Sequence, residues 1–201
     1  TADSNTAVGG QALAVNTSGG SNTAVGMNAM VANTTGANNV AVGAYALDAL
    51  TTVAECTAVG YQAMSANTTG ADGTALGYQA LLVNTTGGYN TAIGHSALAA
   101  NTTGAYNTAV ARSALLSNTT ASNNTAVGYD SLKVNTTGTY NVAVGAYSLT
   151  ANTTASHNTA VGESAGELIT EGFANTMLGR AAGNATTTGD YIICIGYATD
   201  A

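Results

Sequence analysis

A step of 17 residues runs through the chain without a single insertion or deletion. Units start at Asn5, Asn22, Asn39, Cys56, Gly73, Asn90, Asn107, Asn124, Asn141, Asn158, Asn175 and Ile192, giving eleven complete units and a truncated twelfth in 201 residues. The shared pattern is N-T-A-V-G-x-x-A-L-x-x-N-T-T-G-x-x, whose places are numbered 1 to 17. A fixed step over so many units means that each unit stacks on the last in one manner. The unit is too short for the helix pair of most helical repeats, and Thr, Val, Asn and Gly favour strands and turns over helix.

The unit therefore reads as one coil of an all-β solenoid, a parallel β-roll or β-prism with 17-residue coils. N-T-A-V-G is expected as a first short strand, A-L-x-x as a second, and N-T-T-G as a turn. Parallel ladders at roughly 4.8 Å per coil would make a shaft of about 55 Å. The chain has no proline, which suits a ladder that needs every N–H. Glycine stands at place 5 in every unit except at Ala111, marking a position of positive φ or close approach. Asn stands at place 1 in nine units and at place 12 in eight, forming columns whose amides can bond up and down the stack. Residues 1–165 keep the pattern. In residues 166–201 it drifts, with Gly166 and Gly183 at place 9 and "ITEG" for N-T-T-G, as in a cap or a transition to a different segment.

Alternate residues of a strand face opposite ways. The Val column at place 4 is expected to fill the coil interior with the Leu and Met of place 9. That leaves Ala7, Ala24, Ala41, Ala58, Ala75, Ala92, Ala109, Ala126, Ala143 and Ala160 outside. A solvated outer face would normally turn polar, so an unbroken alanine stripe predicts packing against another copy. These alanines are the candidate subunit interface of a homo-oligomer. All ten tyrosines fall at places 6, 7 or 17, beside the first strand. Tyr61, Tyr78, Tyr89, Tyr106, Tyr129, Tyr140 and His95 are the candidate surface contacts, since rings with polar tips suit a glycan or a receptor. The plainer expectation is that they cap a thin core at tolerant turns.

Composition narrows the chemistry. Three basic residues stand against ten acidic ones, so no nucleic-acid partner is expected. No apolar run is long enough for membrane insertion, and there is no basic-then-apolar leader, as in a mature product or a fragment. Phosphate-loop, zinc and calcium-loop spacings are absent, so no cofactor and no metal is expected. "GESAG", residues 162–166, matches the nucleophile elbow, but its glycines and Ala165 only fall at repeat places 5, 8 and 9, and no catalytic residue is expected there. Eight N-T-[ST] triplets at place 12 satisfy the glycosylation sequon, though the turn and ladder account for them without glycans. Cys56 and Cys194 lie eight coils apart, about 40 Å, too far for a disulfide.

Units such as "NTAVGYDSLKVNTTGTYNVAVGAYSL", residues 124–149, resemble the repetitive regions of bacteriophage tail fibres, especially those ending in an intramolecular chaperone peptidase domain. They are also similar to the head repeats of trimeric autotransporter adhesins, which use a shorter S-V-A-I-G unit. The resemblance covers essentially the whole chain. It implies a left-handed roll or prism, three chains wound in parallel on a virion or cell surface, with the alanine column as the subunit contact. The expected function is a non-enzymatic fibre or adhesin shaft, a stiff extracellular spacer with glycan or receptor contacts along its tyrosine-bearing edges. A self-assembling filament or functional amyloid and an ice-binding solenoid are the alternatives.

Overall fold

Only three residues of each coil become strand. The computed structural model describes residues 3–199; Thr1, Ala2, Asp200 and Ala201, the outer ends of the regular and the drifting regions, lie outside the described residues. The strands are β1 Thr6–Val8, β2 Thr23–Val25, β3 Val40–Val42, β4 Thr57–Val59, β5 Thr74–Leu76 and β6 Thr91–Ile93. They continue as β7 Thr108–Val110, β8 Thr125–Val127, β9 Val142–Val144, β10 Thr159–Val161, β11 Thr176–Leu178 and β12 Ile193–Ile195. Each pairs in parallel with the next in chain order, forming one twelve-stranded sheet. The register is the sequence step itself: Ala7 lies opposite Ala24, Ala58 opposite Ala75, and Met177 opposite Cys194. No helix occurs among the described residues. The fold is thus an all-β solenoid of about eleven turns with 17-residue coils. The drifting coils after residue 165 keep the register through β10, β11 and β12.

The second strand expected at A-L-x-x does not form. Places 7 and 9 both take the left-handed conformation, as at Gln62 (φ 55°) and Met64 (φ 51°) or Gln79 (φ 54°) and Leu81 (φ 52°). The physical reason is volume. A strand would send one of two successive side chains outward, whereas this bend turns both inward, so that Ala63 and Met64 are both fully buried. Bonds between coils continue outside the sheet: the Leu13 N–H donates to the Ala29 carbonyl, and the Thr17 N–H donates to the Thr34 carbonyl.

The faces of the strand are the reverse of those expected. From β2 to β10 the alanine column lies inside the coil, fully buried, while the place-4 column faces out, half-buried except at Leu76, which is 47% exposed. Ala7, in the first coil, is the exposed member of its column. Parity forces this arrangement. The place-1 asparagine must point inward to close its coil, and strand alternation then buries place 3 and exposes places 2 and 4. The lumen is filled by the place-9 Leu or Met, with alanines at places 3 and 8 lining it. The buried alanines from Ala24 to Ala160 cannot serve as the subunit interface expected from the sequence, because their own coils already cover them.

Candidate functional site

The asparagine side chains inside the solenoid bond one coil to the next and close each coil on itself. Asn22 at place 1 donates its Nδ2 to the Gly36 carbonyl of its own coil at 2.8 Å, and its Oδ1 accepts the Asn39 N–H of the next coil at 3.0 Å. Asn101 at place 12 donates Nδ2 to the Gly104 carbonyl at 2.9 Å and to Asn84 Oδ1 of the preceding coil at 2.8 Å. One column closes coils and the other links them. Both are buried, so their hydrogen bonds exclude water. The sequon asparagines from Asn33 to Asn152 have no exposed surface, so in the folded chain they are closed to glycan attachment.

What remains outside is a strip along the sheet. Thr, Val or Ile at place 2 and Val, Leu or Ile at place 4 look outward from successive strands, with places 17 and 6 on either side. The candidate contact residues gather at these borders, mid-shaft. At place 6, Tyr61, Tyr78 and His95 stack at ring distances of 5.5 and 4.9 Å. Tyr45 adds its edge to Tyr61 at 6.1 Å. Further along the column, Arg112 lies over the Tyr129 ring at 5.6 Å, a cation–π contact. At place 17, Tyr89 and Tyr106 stack at 4.9 Å with their planes 2° apart. Tyr140 is separate from both groups and stacks on His157 at 5.0 Å, which in turn meets the Phe173 edge. The seven residues therefore fall into separate groups along the two borders. Tyr45, Arg112, Tyr147, His157, Phe173 and Tyr191 extend them, and their shared or adjacent places in the unit are the sequence signal that could have included them.

No protein-family model, curated protein or solved structure matches this chain. In a parallel stack each ring covers its neighbour's face, and solvent meets ring edges and hydroxyls. CH–π contact with a sugar needs an open ring face, which these stacks offer only at their ends. Beside Tyr89, the Asp72 carboxylate raises the phenol pKa, with a smaller contribution from Tyr106.

No pocket opens among the described residues, and no three of His, Cys, Asp and Glu converge there as a metal site would need. The GESAG stretch follows β10 as the same corner found in other coils. Gly162 has φ 137°, and the Ser164 N–H donates to the Ala146 carbonyl. His157, the base nearest in sequence, is occupied in the aromatic stack. Cys56 and Cys194 are both buried free thiols. Burial pushes the Cys56 thiol pKa up, so that it stays protonated at neutral pH.

Proposed function

We propose that this chain is a structural shaft, a stiff, non-enzymatic spacer of an extracellular or virion fibre, built from more than one copy. The single observation that carries the reading is the way the interior is used. Coil after coil, the buried amides bind the neighbouring coil, so that repetition produces length and stiffness and leaves no cavity among the described residues. Resemblance to tail-fibre and adhesin repeats points the same way and favours a trimer.

The outward Val, Leu and Ile of place 4 support self-association. A solvated strand face would alternate to polar residues, whereas here every strand presents a branched aliphatic outward, and one chain leaves that line uncovered. The subunit contact is accordingly placed on this column. Receptor or glycan contacts at the borders would use tyrosine edges and hydroxyls. The ice-binding alternative is left with the outward place-2 threonines alone, because the first threonine of the turn, as at Thr85 and Thr102, gives its hydroxyl to the next coil's carbonyl.

Light scattering tests the reading. The expected mass is a small multiple of the 19.6 kDa chain, falling to one chain when Leu76→Arg and Val110→Arg are combined. A wild-type mass of a single chain would contradict it.

A further inference from the structure

Among the aromatic contacts of the shaft, Tyr89 and Tyr106 stand apart. Both take φ 59°, and their rings are parallel within 2° at 4.9 Å. That is close to the coil spacing of about 4.8 Å, so the rings are related by near-pure translation and corresponding ring carbons sit roughly one coil apart. Both are more than half exposed, at 55% and 59%, so an oxidant can reach them and they can tilt together. The other parallel tyrosine pair, Tyr61 and Tyr78, is wider at 5.5 Å and lies between Tyr45 and His95. The remaining tyrosine pairs, Tyr45–Tyr61 and Tyr129–Tyr147, meet edge to face, with interplanar angles of 81° and 83°. Asp72 holds the same place 17 one coil before Tyr89, where its carboxylate can take the phenol proton as the ring loses an electron.

We propose that Tyr89 and Tyr106 are an oxidative cross-linking site, at which a peroxidase-type one-electron oxidant joins the two rings as an intrachain dityrosine. Each phenol loses one electron and its hydroxyl proton. The two radicals form a carbon–carbon bond between ring positions ortho to the hydroxyls. The displaced ring hydrogens then return to the oxygens and restore both phenols. Hydrogen peroxide accepts the two electrons and two protons and leaves as two waters. The product ties the coil beginning at Gly73 to the coil beginning at Asn90, a covalent fastening within the hydrogen-bonded stack.

The test is to treat the intact chain, dilute, with a peroxidase and hydrogen peroxide. Dityrosine fluorescence, intact mass, denaturing electrophoresis and peptide mapping are then followed. The expected product is a single chain lighter by two hydrogens, with its cross-link mapping to Tyr89 and Tyr106. Tyr89→Phe and Tyr106→Phe keep the stacked ring and should each lose the signal, whereas Tyr61→Phe with Tyr78→Phe should keep it. Asp72→Asn should slow formation, and an unchanged rate would overturn its role as proton acceptor. Undiminished dityrosine in Tyr106→Phe, a cross-link mapping elsewhere in the wild type, or only covalent dimers would overturn the site. Peptide mapping of the wild type decides the matter even if a variant fails to fold.

Discussion

Leu81 holds a φ of 52°, a conformation that L residues usually leave to glycine, and Leu98, Leu115, Leu132 and Leu149 do the same. The left-handed backbone costs roughly 1–2 kcal/mol per residue. Full burial of a leucine contributes about 1.5–3 kcal/mol, which offsets that cost. Gly166 and Gly183 avoid the strain and give up the side chain, and their neighbours fill the gap. A Cβ at Gly166 would meet Ile169 at 3.0 Å, and one at Gly183 would meet the Met177 sulfur. At place 5 the reason for glycine is twofold, since φ is near 137° and an added Cβ on Gly43 would lie 2.3 Å from the Gly60 carbonyl oxygen. Ala111 breaks this rule with φ 110°. Ala111→Gly is therefore expected to stabilise the chain by about 1–2 kcal/mol in denaturant titration. Gly94→Ala, whose Cβ would sit 2.6 Å from the Ala111 carbonyl, should destabilise it by more than that gain. The glycine requirement was legible from recurrence alone. The left-handed leucines were not, because leucine carries no turn signal and only lumen volume explains its conformation.

In the asparagine columns each coil depends on its neighbour. The place-12 ladder runs unbroken from Asn67 to Asn152 and is interrupted at Leu50 and Ile169. At both breaks the last carbonyl is left without a hydrogen-bond partner, Asn33 Oδ1 before Leu50 and Asn152 Oδ1 before Ile169. Around Leu50 the substitutions are concerted: Val53 and Cys56 replace Gly and Asn and pack apolar groups where amides stand elsewhere. A break made mid-ladder lacks that compensation. Asn101→Leu strips partners from Asn84 Oδ1 and the Asn118 amide, and should cost about 3 kcal/mol by chemical denaturation, from roughly 1–3 kcal/mol per buried unsatisfied group. A loss below about 1 kcal/mol would show that the ladder contributes little. The columns were visible in the sequence, and they also held the key to the strand's orientation. Treating Val as the core residue by size reversed the two faces, whereas a buried place-1 asparagine requires Ala24, not Val25, to share its side. Size is a poor guide where the lumen holds one leucine per coil.

At the scale of the molecule, a stack in which each coil touches only the next grows in proportion to sequence. That proportionality was the most legible property of the chain, because a step of 17 residues without exception leaves no room for a second kind of joint. What the step could not convey was what the shaft meets, since recognition depends on which faces are outward and how rings stack. The measurement that bears most directly on the stack is a distance ruler along one exposed column. Spin labels on cysteines replacing Thr35 paired in turn with Thr103, Thr137 and Thr154, diluted with unlabelled chain, read intrachain separations by dipolar spectroscopy. Four, six and seven coils should give about 19, 29 and 34 Å, a straight line of roughly 4.8 Å per coil. Distances that level off or fail to increase in that order would contradict the stacked solenoid.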